Sequence, residues 1–153
     1  MKEALDKFLN DFDIAALLPD LTKLSGWIEA ILRLAVMVGP IVLLVFGLLY
    51  LASPPKEANH SAGFRCWWGM ASLDAWQFTQ KTAGIAWTVL GSVLTVVMAV
   101  KSAGLAGMEL PVMLDKTVVY LLWQLGLVAV SCIVVNIVVI VVFDHRGFRR
   151  REK

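Results

Sequence analysis

The run Thr117–Phe143, TVVYLLWQLGLVAVSCIVVNIVVIVVF, contains no Asp, Glu, Lys or Arg. A hydrocarbon core of roughly 30 Å is crossed by about 20 mostly apolar helical residues, so this run can span a bilayer and still tilt or project past it. Two further stretches, Leu34–Pro55 and Thr82–Val100, are equally free of charge. They predict an all-α membrane protein with three transmembrane helices over residues 34–52, 82–100 and 117–143, together making one domain over residues 34–143. Composition agrees. Of 153 residues 59% are hydrophobic and 17% are charged, against about 45–50% and about 25% in an ordinary soluble domain. The net charge of +2 is too small for a nucleic-acid partner, and much of the basic character sits in the short tail 144–153.

The first 33 residues carry charges of both signs, so a cleaved signal peptide is not expected. Leu5, Phe8, Leu9, Phe12 and Ala16 recur at helical spacing, with Lys2, Glu3, Asp6, Lys7, Asn10, Asp11 and Asp13 between them. This is an N-terminal amphipathic interfacial helix, residues 1–33, interrupted at Pro19-Asp20 and resumed behind Ser25 as N-cap. Glu29 and Arg33 stand four apart and can pair, either on its water-facing side or at the head of an extended first span. Basic residues set orientation. Arg146, Arg149, Arg150, Arg151 and Lys153 place the C-terminus in the cytoplasm, which puts the loop between the first two spans there as well.

Within the second span, Gly84, Thr88, Gly91, Ser92, Thr95, Ala99 and Ser102 fall in one sector of the helix. Helices in lipid are held by close backbone approach and hydroxyl hydrogen bonds, so this stripe is read as a packing seam. On the third span Gln124 and Asn136 need partners, and they are expected to face other helices or a second copy of the chain. Ser131 shares a face with Thr117 and Gln124. Gly39-Pro40 marks a kink in the first span, tolerated where a neighbour re-satisfies the freed carbonyl. The spans hold no ionisable group of the kind pumps and proton-coupled carriers use. Cys66 and Cys132 lie far apart and His60 and His145 sit in separate segments, which implies no disulfide framework, metal site or cofactor. Ser72 has no His or other base nearby in sequence, so the reading is not an enzyme.

The stretch Ala62–Gly84 is unlike a plain connector. Trp67, Trp68 and Trp76 suit the headgroup level, where an indole buries its ring and keeps its N–H wet. Ser72 can cap the helix that enters the second span, with Asp74 in its first turn complementing the helix dipole. Arg65 can bind a lipid phosphate, stack on a tryptophan or pair with Asp74.

The order Gly63, Arg65, Ser72, Asp74, Trp76 and Ala83-Gly84 resembles the signature of the SdpI-like bacterial membrane proteins. That family takes its name from an immunity protein that protects a cell against its own secreted killing peptide. Cys66 stands where the family usually has Thr, and Trp67-Trp68 replaces a more Pro-containing or polar stretch. The resemblance implies a multi-pass protein of the bacterial inner membrane in an immunity or signalling role. It would bind a secreted antimicrobial peptide, or a cytoplasmic regulator, through Gly63, Arg65, Trp67, Trp68, Ser72, Asp74 and Trp76. The alternative is a structural or assembly subunit of a larger membrane complex. Contact with the lipid bilayer is expected in either case; a stable stoichiometric partner would favour the subunit, and a lone homo-oligomer the stand-alone immunity reading.

Overall fold

A computed structural model describes the backbone of residues 14–58 and 63–150, and side chains from residue 24 onward. The amphipathic positions expected before residue 14, and Arg151 and Lys153 of the tail, lie outside the described residues. The described chain forms three helices, α1 (Ile14–Ala52), α2 (Leu73–Ala103) and α3 (Leu110–Val142), with no strand among the described residues. All three are long and apolar enough to cross a membrane, over Leu24–Ala52, Leu73–Ala103 and Leu110–Val142.

Each helix outruns its charge-free stretch. At 1.5 Å per residue, α2 is roughly 46 Å long and α3 roughly 50 Å, more than the hydrocarbon core and close to the full bilayer with headgroups. The excess turns carry the charges. Asp74 and Lys81 lie in the first turns of α2, Lys101 in its last turn, and Asp115 and Lys116 in the second turn of α3, so the charges stand toward the helix ends, where long side chains can reach water. Two expectations about α1 are overturned. The helix continues through Pro19, which costs a hydrogen bond without forcing a break, and Ser25 lies inside the helix rather than capping a new one. Glu29 and Arg33 pair at 3.3 Å near the head of the first span.

The most extensive helix contact is α1 against α2, and glycines make it close. A methyl group at Gly91 would stand 2.6 Å from the Leu44 backbone nitrogen, one at Gly47 would collide with the Thr88 backbone, and one at Gly84 would press on Leu51 at 3.0 Å. The stripe is only partly the seam. Gly84, Gly91 and Ser102 are buried and Thr88 and Thr95 half-buried, but Ser92 and Ala99 are exposed. Ser92 and Thr95 turn their hydroxyls onto Thr88 and Gly91 carbonyls of their own helix, at 2.7 Å each. The buried face is instead completed by Ala83, Leu94 and Met98, because α2 meets α3 as well as α1.

At the end of the bundle where α2 turns into α3, Val36, Leu43, Leu94, Met98, Leu105 and Met113 form one apolar cluster. Ser102 Oγ donates to the Arg33 carbonyl at 3.3 Å there. Packing on α3 is sparse. Its buried residues are Met113, Thr117, Gln124, Val135 and Val139, and exposed apolar side chains such as Leu122, Trp123, Leu125, Ile133 and Val141 meet the lipid. Gln124 reaches across to α1, where its Nε2 donates to the Val36 carbonyl at 3.0 Å. Asn136 and Ser131 do not cross. Asn136 Nδ2 donates to the Cys132 carbonyl at 2.8 Å and Ser131 Oγ to the Val128 carbonyl at 2.7 Å, so each side chain donates within α3 itself.

Candidate recognition site

At the opposite end of the bundle, the α1–α2 connection and the chain after α3 come together over the first turns of α2. Pro54 and Pro55 cannot prolong α1. The chain turns there, and the Pro55 carbonyl accepts a hydrogen bond from Trp76 Nε1 at 2.8 Å. Trp76 is completely buried, an indole enclosed by its own loop rather than resting among headgroups. Gly63 lies on its ring. Its φ of 109° is open to glycine, and an added Cβ would sit 2.8 Å from the Trp76 ring and 2.9 Å from Gln80 Oε1.

The next residue is held by a side chain that acts as a strand would. Gln80 Oε1 accepts from Phe64 N, and Gln80 Nε2 donates to the Phe64 carbonyl, each at 2.8 Å. Both backbone groups of Phe64 are thereby satisfied in a partly buried place where an orphan would be costly. Cys66 is buried and organises the following turn. Its sulfur accepts from Gly69 N at 3.3 Å, and its carbonyl accepts from Met70 N at 3.1 Å. Cys66 joins Ala75, Val139 and Phe143 in a second apolar cluster, against which Phe64, Trp68, Phe78 and Val142 pack.

Ser72 then caps α2, accepting from Ala75 N at 3.1 Å while its hydroxyl donates to the Gly147 carbonyl at 2.8 Å. Gly147, at φ 80°, leaves no room for a Cβ, which would fall 2.6 Å from that of Ser72. Arg149 Nε and Nη2 grip the two Asp74 carboxylate oxygens at 2.7 and 2.9 Å, the planar fork-to-fork geometry of an arginine–carboxylate pair. Asp144 Oδ1 accepts from Arg146 N and Phe148 N, so the tail folds back as a tight turn. Arg149 also lies 5.6 Å over the Phe143 ring, which meets Phe78 edge-on.

The seven expected binding residues thus divide. Gly63 and Trp76 are built into the loop's foundation, Ser72 and Asp74 hold the tail, and Trp68 is half-buried in the second cluster. Asp74 is paired with Arg149, not with Arg65. Arg65 and Trp67 remain on the surface, Trp67 with 82% of its area exposed. Gln80, Gly147 and Arg149 complete the site and carry no short-range sequence signal.

A family model described as the SdpI/YfhL protein family matches residues 56–143. The chain belongs to the SdpI/YfhL family. No curated protein and no solved structure matches it. The SdpI/YfhL segment takes in the loop, α2 and α3 to Phe143. It leaves out α1 and the tail residues Gly147 and Arg149, which close over Ser72 and Asp74 from beyond the matched region. As an SdpI/YfhL protein with three membrane-spanning helices, the chain is an integral, multi-pass membrane protein in contact with lipid.

Proposed function

We propose that this protein binds rather than transforms, in the immunity or signalling role of SdpI-type proteins. The ligand is a membrane-active peptide or a partner protein, met at Arg65 and Trp67. One observation carries the reading. These two side chains stand exposed on a loop that is anchored on either side of them, through Trp76 on Pro55, Gln80 on Phe64, Cys66 on Gly69 and Ser72 on Gly147. An aromatic ring and a guanidinium on a rigid support bind at low entropic cost and are enriched among residues that dominate interfaces.

The loop and the tail share one end of the bundle. Basic residues assign that end to the cytoplasmic face of the bacterial inner membrane. A peptide recognised there has already entered the bilayer, and a regulator would approach from the cytoplasm. The test is survival under a membrane-active peptide of cells making wild-type, Arg65→Ala or Trp67→Ala protein at equal membrane levels. Loss of protection in both variants is expected. Protection equal to wild type against every peptide that wild type resists would remove the loop from recognition.

A further inference from the structure

A cavity of about 360 Å³ lies beside this loop, independent of the peptide reading, between the end of α1 and the first turns of α2. Leu51, Tyr50 and Pro55 line its apolar side, and Gln77, Lys81 and Lys56 its polar side. Gln77 and Lys81 are four apart on α2 and share a face. Both lysines are exposed, and neither is hydrogen-bonded or ion-paired among the described residues. Among the described residues no acidic side chain lines the cavity.

Its depth identifies the ligand. Lys56 is the first charge after the uncharged run Leu34–Pro55, and Lys81 is the last before Thr82–Val100. Both lysines thus line one cavity at the point in the chain where the uncharged runs end, the level at which hydrocarbon gives way to headgroups and lipid phosphates. Below them Leu48, Leu51 and Ile85 present exposed apolar surface toward the bilayer, as acyl chains require. We propose that this cavity is a binding site for one anionic phospholipid, its phosphate held between Lys56 and Lys81 with Gln77 donating to a headgroup oxygen. A basic pocket between transmembrane helices has the charge such a headgroup needs, and a free anion would have no use for the apolar wall.

The test uses the full chain in nanodiscs of phosphatidylcholine doped with phosphatidylglycerol, with retained lipids counted by native mass spectrometry. Wild type is expected to keep one phosphatidylglycerol. At about fivefold per lysine near a charged bilayer surface, Lys56→Gln/Lys81→Gln should bind it roughly 25-fold more weakly. Lys101→Gln/Lys116→Gln, with the same loss of charge at the other end of the bundle, should bind as wild type does, and so should Lys56→Arg/Lys81→Arg. Thermal melting in lipid-free detergent checks that the glutamine pair still folds. Equal phosphatidylglycerol retention by the glutamine pair, or equal retention of phosphatidylcholine by wild type, would overturn the site. Displacement of the lipid by millimolar inorganic phosphate would assign it to the free ion and overturn the lipid.

Discussion

Gln124 of α3 donates its side-chain N–H to the main-chain carbonyl of Val36 in α1 at 3.0 Å. Val36 is four residues before Pro40, and a proline has no N–H to return to that carbonyl. The amide thus replaces the hydrogen bond that the proline removed, and two features read separately in the sequence are one interaction. Gly39 makes it reachable, since a Cβ there would stand 2.6 Å from Gln124 Oε1.

Substituting Gln124→Leu should destabilise the bundle by about 1–2 kcal/mol, within the range for interhelical polar contacts and an orphaned buried acceptor. In a Pro40→Ala background the helix regains its own donor to Val36, and the same leucine should cost much less. A double-mutant cycle by unfolding in mixed detergent micelles checks the coupling. Additive effects would mean that the two residues act independently.

The α1–α2 seam predicts a contrast among glycines. Gly91→Leu drives a side chain into the Leu44 backbone, and overpacking of this kind typically costs about 1–3 kcal/mol. Gly126 of α3 faces open space, so Gly126→Leu should be tolerated and adds apolar surface toward lipid. Comparing thermal aggregation of the two variants in one detergent separates packing from a general effect of bulk.

Helix existence was plain in the sequence because lipid forbids unpaired charge at depth, so Leu34–Pro55, Thr82–Val100 and Thr117–Phe143 announce themselves. Helix ends were not, because Asp74, Lys81 and Lys116 are tolerated in the interface and mark no boundary of the helix. The same logic divides the site. Ser72 could be read as a cap from its immediate neighbours, whereas Gln80 and Arg149 act on Phe64 and Asp74, partners distant in sequence. Trp67 and Trp76 illustrate the limit. Both read as interfacial anchors, but Trp76 starts on the inner face of α2 under the Pro55 turn, and a loop that covers a helix face cannot be seen from composition.

The tail clasp should depend on Ser72 more than on the ion pair. Asp74 and Arg149 are exposed, where even a bidentate pair is screened by salt, so Asp74→Asn should change stability by less than about 1 kcal/mol. Ser72→Ala removes the α2 cap and the donor to Gly147 together and should cost about 1–2 kcal/mol. Limited proteolysis at the tail basic residues reads the difference, with faster cleavage expected for Ser72→Ala at both low and high salt.

Thiol chemistry gives a direct measure of how closed the loop is. Cys66 is 8% exposed, and its sulfur already accepts from Gly69 N in a turn packed on Phe143. Reaction of this thiol with a bulky maleimide therefore requires the turn to open. The native chain in membranes should label slowly at Cys66, whereas a Trp67→Cys variant carrying Cys66→Ser, with its thiol at a position 82% exposed, should label rapidly. Applied from one side of sealed inverted vesicles and then the other, the same variant identifies the compartment that Arg65 and Trp67 face. Equal labelling of Cys66 and of a cysteine at position 67 would mean that the turn opens freely, and a surface that loose would lose the entropic advantage on which recognition by this loop depends.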